Sequence, residues 1–338
     1  MNGAQNEDLM NPVEVYRDFK LVAKCPTVES FRWNRRFSRP GDFMLTTSFS
    51  PEKLDIYREG SVIYKRDVDE AAFVERRTVM QTLDTDMRLL VEGRFVSSLL
   101  DRRDVTLAGN FSLTNLLNSV ISNNFLAGAG SLRSMANVVR LLPINLGTAG
   151  TSAVSVDYSR QNVLSVLEDL LQESNVGLRT HYNIANRSFD ISFYAPRDTV
   201  VVFDKEFGNI LEQDYWDDTT NFKNVVFVGD NMVYNNHISG FNRREISVAA
   251  PRAGSEHPTQ TARDTLNRQR SIRTISSTID VNSLQFEYMK DWDVGCRVLS
   301  QNREIGFADK EIITEIMEFF DYSGKNVEVN MGDYRVWG

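Results

Sequence analysis

A mostly β, α+β fold is what this sequence predicts, on three observations. Short strand-like runs bounded by turn dipeptides dominate both ends of the chain. Two segments near the middle place apolar residues on one face at helical spacing. Near the C-terminus, residues 310–319 alternate Ile312, Thr314, Ile316 and Glu318, and Ser323-Gly324-Lys325 turns that run back into 327–329, a hairpin pattern. The order is therefore β-rich, α+β, β-rich, with boundaries expected at 10–105, 106–200 and 201–338.

Each element has a local reason. Residues 42–47 (DFMLTT) follow the turn Pro40-Gly41, and 61–65 (SVIYK) follow Glu59-Gly60. Residues 73–81 and 88–92 are further strand-like runs. Glu92-Gly93 closes them, before a short helix with Phe95, Leu99 and Leu100 on one side. In 112–123, Leu113, Leu116, Leu117, Val120 and Ile121 form one helical stripe, and Ser112 is placed to cap it. Residues 124–155, rich in Gly, Ala, Ser and Asn, read as a surface excursion in which 133–142 has helical potential. The strongest helix is expected over 159–174, with Val163, Leu164, Leu167, Leu170 and Leu171 on one face, Ser159 as cap and Gly177 near its end. A hairpin over 178–184 and 189–194 follows, with Phe189, Ile191 and Phe193 on its buried face. Beyond it, strands are expected over 200–203, 224–228, 244–249, 273–280, 284–288 and 297–300, and a polar helix over 258–270. No repeat of solenoid period is present.

Composition narrows the function classes. With 338 residues, 41% hydrophobic and 25% charged, the chain is an ordinary globular one with room for two to four compact units. The first eleven residues are polar and carry Glu7 and Asp8, so they do not read as a signal peptide. No apolar run reaches the ~18 residues of a membrane span. The formal net charge of -8 argues against sequence-independent binding to nucleic acid, which needs clustered Lys and Arg. Cys25 and Cys296 lack C-x-x-C spacing and read as reduced structural thiols, although the sequence leaves open whether they pair.

A search for chemistry assigns no catalytic, cofactor-binding or metal-binding residue. His181, His237 and His257 have no partner at metal-ligand spacing and read as solvated or locally bonded. There is no G-x-S-x-G elbow and no phosphate loop, and Gly128-Ala129-Gly130 reads as loop. Glu212, Asp214, Asp217 and Asp218, beside Tyr215 and Trp216, contain the residue types of a glycoside hydrolase or sugar-binding site, but read better as a solvated loop or subunit contact. Arg32, Arg35, Arg36 and Arg39 interleave with Phe31, Trp33 and Phe37. Nucleic-acid stacking is one reading, and a strand with Phe31, Trp33, Arg35 and Phe37 on one face is the favoured one. Arg243, Arg244, Arg263, Arg268, Arg270 and Arg273 read as ion-pairing residues at a subunit interface.

Several of these segments, taken in order, resemble the tail-hub proteins of long-tailed phages and phage-tail-like particles. The segment from Phe31 to Leu45, with its Gly41-Asp42-Phe43 turn, is similar to that family's opening strands, and 61–65 to the strand that follows. Gly93-Arg94, Leu99-Leu100 and Arg103 match its Gly-Arg-x-x-x-x-Leu-Leu-x-x-Arg element. Asn224 to Gly229, Arg243-Arg244-Glu245 and Asp291 to Val298 are similar to three later motifs, so the resemblance spans about 12–333. Cys296 stands where the family often has Asp, and the sequence stops at Gly338 where many relatives continue into a peptidase, lysin or receptor-binding region.

The resemblance implies a non-enzymatic structural subunit with no cofactor. It implies two tube-like β-barrel domains, 10–105 and 201–338, flanking a small α+β domain, 106–200. Such hubs are homotrimers that mimic a six-fold ring around the DNA channel. Expected partners are the tail tube or distal tail protein, a spike, fibre or receptor-binding protein and the tape-measure protein. The implied location is the virion tail tip, after assembly in the bacterial cytoplasm. The alternative is a cell-wall hydrolase or a carbohydrate- or receptor-binding tail component.

Overall fold

The computed structural model describes residues 13–24, 28–81, 86–234, 239–249, 272–281, 283, 285–321 and 324–332, with 262–263, 265–266 and 269 between them. The N-terminal segment forms β1 (Val13–Arg17), β2 (Lys20–Lys24), β3 (Ser30–Arg36), β4 (Asp42–Ser48), α1 (Pro51–Ile56), β5 (Val62–Lys65), β6 (Glu70–Phe73), β7 (Arg76–Met80) and β8 (Arg88–Arg94). A 3-10 turn over Val96–Arg102 follows. The middle segment forms β9 (Asp104–Ser112), α2 (Leu113–Phe125), β10 (Val139–Leu141), β11 (Ala153–Asn162), α3 (Val163–Ser174), β12 (Gly177–Asn183) and β13 (Ser188–Tyr194). The C-terminal segment forms β14 (Arg197–Asp204), β15 (Ile210–Asp218), β16 (Val225–Val228), β17 (Asn231–Tyr234), β18 (Glu245–Val248), β19 (Ile272–Ile279), β20 (Cys296–Asn302), β21 (Phe307–Asp321) and β22 (Gly324–Met331).

The fold is mostly β, and its two large sheets share strands between segments. A seven-stranded sheet runs β10-β13-β12-β6-β5-β1-β2 and so joins the middle and N-terminal segments. A ten-stranded sheet runs β15-β19-β22-β21-β3-β4-β8-β7, with β14 and β20 attached through β21, and joins the C-terminal and N-terminal segments. Both strand paths are open among the described residues. The chain passes from one sheet to the other at Val74 and Glu75, where Val74 N–H donates to the Ser61 carbonyl and Glu75 N–H to that of Glu92. The expected single strand over 73–81 is therefore two, β6 and β7, one in each sheet.

The helices follow their local code. Ser112 caps α2 by accepting from Asn115 N–H, and Leu113, Leu116, Leu117, Val120 and Ile121 are all buried. Each such side chain contributes about 2 kcal/mol on burial. Helix α3 starts at Val163, later than expected, because residues 153–162 pair with β9 as the long ribbon strand β11. Asn162, not Ser159, is its cap and accepts from Ser165 N–H at 3.2 Å. Its end is Asn175 in the left-handed region at φ 50°, a conformation Asn tolerates, while Gly177 already belongs to β12. The stripes of α2 and α3 meet in one core with Leu178, Ile191 and Phe193.

Four further expectations are corrected. Residues 133–142 are turns followed by β10, because Val139, Arg140 and Leu141 extend the sheet parallel to β13. Nor is 124–155 wholly a surface excursion, since Val139 and Leu146 enter the core. Residues 284–288 form no strand among those described, and Tyr288 makes only an isolated bridge to Trp292. The acidic segment 212–218 is not a loop but most of β15, held by its antiparallel register with β19. Of the helix expected over 258–270, the described residues 262–263 and 265–266 are helical, and Ala262 and Leu266 pack on Val226 and Val228; the rest lies outside the described residues.

Candidate functional site

The face Phe31, Trp33, Arg35, Phe37 is buried along its whole length, Arg35 included at 2% exposure. A guanidinium at that depth must be paired, because an isolated buried charge is strongly disfavoured. Arg35 meets two carboxylates. Its Nε and Nη2 donate to the two oxygens of Glu70 at 2.8 and 3.0 Å. Its Nη1 and Nη2 donate to Asp293, the latter at 3.1 Å, and Nη1 also reaches the Tyr288 hydroxyl at 3.3 Å. Arg179 completes the set, 3.0 Å from Glu70 and 3.1 Å from Asp293. Two guanidiniums and two carboxylates thus make a neutral junction. It fastens β3 and β6 of the N-terminal segment, β12 of the middle and the turn before β20.

The junction continues inward. Tyr288 donates its hydroxyl proton to Glu318 at 3.0 Å. Glu318, fully buried on β21, is paired with Lys65 of β5 at 3.2 Å and Lys325 of β22 at 2.8 Å. Burial opposes ionisation of Asp293, yet Arg35 and Arg179 hold its carboxyl below the usual range. Burial opposes Glu318 likewise, and Lys65 and Lys325 overcome it. Both carboxyls titrate lower in the fold than in the unfolded chain. They contribute stability above their unfolded pKa of roughly 4, and that stability is lost as pH falls through the lower folded values. Urea midpoints are expected to be level from neutral to about pH 5 and to fall below about pH 4. Asp293→Asn, less stable at neutral pH, should show a shallower acid-side fall.

The motif residues lie at backbone crossings and caps. Gly295, at φ +84°, has its α-carbon so close to Phe37 and Tyr194 that a β-carbon would stand 2.8 Å from each ring. Arg94 pairs with Glu75 at 2.9 Å and Asp101 at 3.2 Å, and Leu99 and Leu100 are buried in the core of the two helices. Asn224 donates to the Asn242 carbonyl at 2.7 Å and accepts from Arg244 N–H at 2.8 Å. Arg243 pairs with Glu245 and lies over the Phe227 ring, and Arg244 lies over Phe222. Arg32 and Arg36 both pair with Asp42.

The residues weighed for catalysis do not converge. Glu212, Asp214, Asp217 and Asp218 are exposed along β15, with Trp216 and Tyr215 also exposed. Hydrogen bonding from Thr220 lowers the Asp218 carboxyl, opposite to what a general acid needs. His181 sits at the surface, its Nδ1 3.7 Å from Asp69. His237, His257, Cys25, Arg268 and Arg270 lie outside the described residues. Cys296 is buried, with Arg197 Nη2 3.3 Å from its sulfur. Among the described residues no group of three or more His, Cys, Asp or Glu is placed to hold a metal ion, and no helix is long and apolar enough to cross a membrane. A pocket beside the junction, lined by Arg35, Arg39, Glu70, Arg179 and Tyr194, has a volume of about 20 Å³. That is room for about one water and too small for a sugar or peptide.

Sequence reasoning places Arg35 on one face with Phe31, Trp33 and Phe37 but misses its burial and its partners Glu70, Arg179 and Asp293, and the linked Lys65 and Glu318. The available signal was the lone charge among three aromatics, which demands a partner without saying where it lies.

Comparison with known proteins gives a consistent picture. The model of the family described as Siphovirus ReqiPepy6 Gp37-like protein matches residues 12–333. The 43 kDa tail protein of prophage MuSo2 from Shewanella oneidensis has a similar fold, at TM-score 0.61 and 11% identity over 96% of this chain and 98% of that one. So does the tail protein from Neisseria meningitidis MC58, at TM-score 0.59 and 11% identity over 96% and 97%. Prophage tail protein gp18 from Listeria monocytogenes EGD-e follows at TM-score 0.56 and 13% identity, over 95% of each chain. No curated protein matches significantly.

Proposed function

This chain belongs to the Siphovirus ReqiPepy6 Gp37-like family of phage tail proteins, and from that premise we propose that it is a non-enzymatic hub subunit of the tail tip. In this reading 10–105 and 201–338 are the two tube-like units and 106–200 the α+β unit between them. Three subunits form a ring around the DNA channel. That ring joins the tail tube or distal tail protein to the spike- or fibre-bearing tip.

One observation carries the proposal. In the path β15-β19-β22-β21-β3-β4-β8-β7, four strands of the C-terminal segment lie beside four of the N-terminal segment. One chain therefore presents two four-stranded units in a single sheet, and three chains supply six, the number needed to face a six-fold tube. The inward-facing ion pairs and the small pocket support a role in rigid connection rather than in turnover. Against the hydrolase alternative, the enclosed carboxylates Glu70 and Asp293 are both held by Arg35 and Arg179, and Glu212, Asp214, Asp217 and Asp218 are exposed along β15.

Gold-labelled antibody against this chain, applied to particles from a producing host, is expected to decorate the distal end of the tail. Particles made without the chain should lack assembled tips. Label on the head or along the shaft, or intact tips without the chain, would overturn the reading.

A further inference from the structure

The pocket beside the junction is lined by more positive charge than its surroundings neutralise. Arg36, Arg39 and Arg179 line it together with Arg35, and Glu70 is the carboxylate among them. Around it, five guanidiniums share four carboxylates. Arg35 and Arg179 both meet Glu70 and Asp293, while Arg32 and Arg36 meet Asp42, with Glu315 also on Arg36. The fifth, Arg39, is exposed and pairs with none of the four. Glu168 lies within electrostatic range of Arg39, but burial opposes its ionisation and pushes its carboxyl above the usual range.

Hydrogen-bond donors are in excess as well, because a guanidinium only donates. All five N–H groups of Arg35 are engaged by Glu70, Asp293 and Tyr288. Arg179 uses Nε and Nη2, and its Nη1 has no hydrogen-bond partner among the described residues. Thr180, 6% exposed, also lines the pocket, and its shielded Oγ1 has no partner in the protein. A shielded hydroxyl without a partner destabilises a fold. Ser97 brings a second hydroxyl side chain to the lining. The carboxylate there is already occupied, since Glu70 Oε1 accepts from both Arg35 and Arg179. A water must donate as well as accept, and this lining is short of acceptors. A halide ion only accepts, and it carries the negative charge that Arg39 is missing. The apolar side chains of Leu178 and Val294 in the wall suit a weakly hydrated ion.

We propose that this pocket is a halide site that takes chloride, with Thr180 Oγ1 and Arg179 Nη1 donating to the ion and Arg39 beside it. Its volume of about 20 Å³ admits a monatomic anion, little larger than a water, and excludes sulfate, phosphate and carboxylate ligands. Arg39 follows β3, Ser97 lies in the 3-10 turn after β8, and Arg179 and Thr180 lie on β12. The ion therefore ties the N-terminal segment to the middle one, where a single strand bridge, His181 to Glu70, joins β12 to β6. The site stands apart from the hub reading and does not depend on it.

The test is urea denaturation of the full chain in sodium chloride, with sodium gluconate holding the ionic strength constant. The wild-type midpoint should rise with chloride and then level off. At about ten times the dissociation constant, the folded-to-unfolded ratio should be about 11-fold higher than in gluconate. Bromide should substitute for chloride, and strongly hydrated fluoride should not. Thr180→Val should be at least as stable as wild type in gluconate, because the shielded hydroxyl is gone, and should gain nothing from chloride. Arg39→Gln, an exposed change, should leave the gluconate midpoint unchanged and lose most of the chloride gain. Chlorine NMR line widths read binding directly: wild type should show excess width that bromide removes, and Thr180→Val should show none. An equal chloride response in wild type and both variants would mean an adventitious ion only and overturns the site. Absence of any response and of excess width would mean that the pocket takes water, which overturns it as well.

Discussion

Replacing Arg35 by alanine is expected to cost about 3–5 kcal/mol of stability, the range for breaking a buried ion pair by removing one partner. The loss has two sources. Glu70, only 6% exposed, would lose its bidentate donor while remaining shielded from water, and Asp293, partly buried with a side chain 24% exposed, would lose its own. Arg179 already touches both carboxylates and can neutralise one of them, so the upper end of the range applies only if it does not move inward. Arg35→Lys should rescue little, because one ammonium cannot reproduce a fork that meets two carboxylates in fixed geometry. Arg35→Met combined with Glu70→Gln and Asp293→Asn should cost less than Arg35→Ala, since no uncompensated carboxylate is left. Arg32→Ala is the contrast: its ion pair with Asp42 is 35% exposed on the arginine side and should be worth under about 1 kcal/mol. Urea denaturation of the four variants ranks them. Equal midpoints for Arg35→Ala and Arg32→Ala would sink the account.

How much of this was legible depends on the range of the interactions. The stripes of α2 and α3 are local, and Leu113 to Ile121 and Val163 to Leu171 were readable from spacing because burial repeats with the helix period. The start of α3 was not, because Ser159 is drawn into a strand by β9, some fifty residues away in the chain. The acid-rich run 212–218 has no apolar alternation, so nothing local marks it as β15; its register with β19 supplies the strand. Residues 133–142 show the same override, with Val139 and Leu141 recruited to the edge of β13. The junction is the extreme case. Arg35 is separated from Glu70 by 35 residues and from Asp293 by 258, so no window of sequence contains the site. What the sequence did carry was the order of short motifs. The structure gives several of them a physical reason: an arginine bound by carboxylates, an asparagine clamping two backbones, glycines where chains cross.

Gly93→Ala should be the most damaging glycine-to-alanine change among the described residues, costing about 4 kcal/mol or more and abolishing soluble expression. Gly93 lies on β8 opposite Phe43, in the ten-stranded sheet. A β-carbon there would stand 1.8 Å from the backbone carbonyl oxygen of Phe73, the last residue of β6 in the seven-stranded sheet, and 3.0 Å from the Phe43 ring. A side chain can rotate away from such a clash, but the Phe73 carbonyl is fixed by the strand it ends. Relief therefore requires the two sheets to separate at the point where Ala72 and Phe95 bridge them. That separation strains the 3-10 turn that follows, with buried Val96, Leu99 and Leu100. Gly60→Ala is the control, because Gly60 has open space around it and only a φ of +82° to lose, a penalty of about 1 kcal/mol. Denaturation midpoints and soluble yield separate the two. A Gly93→Ala protein as stable as Gly60→Ala would mean that the sheets are not in backbone contact at this crossing. If the large effect is found, the Gly-Arg element is explained by the approach of two main chains, and the arginine beside it by the Glu75 and Asp101 carboxylates that the crossing brings within its reach.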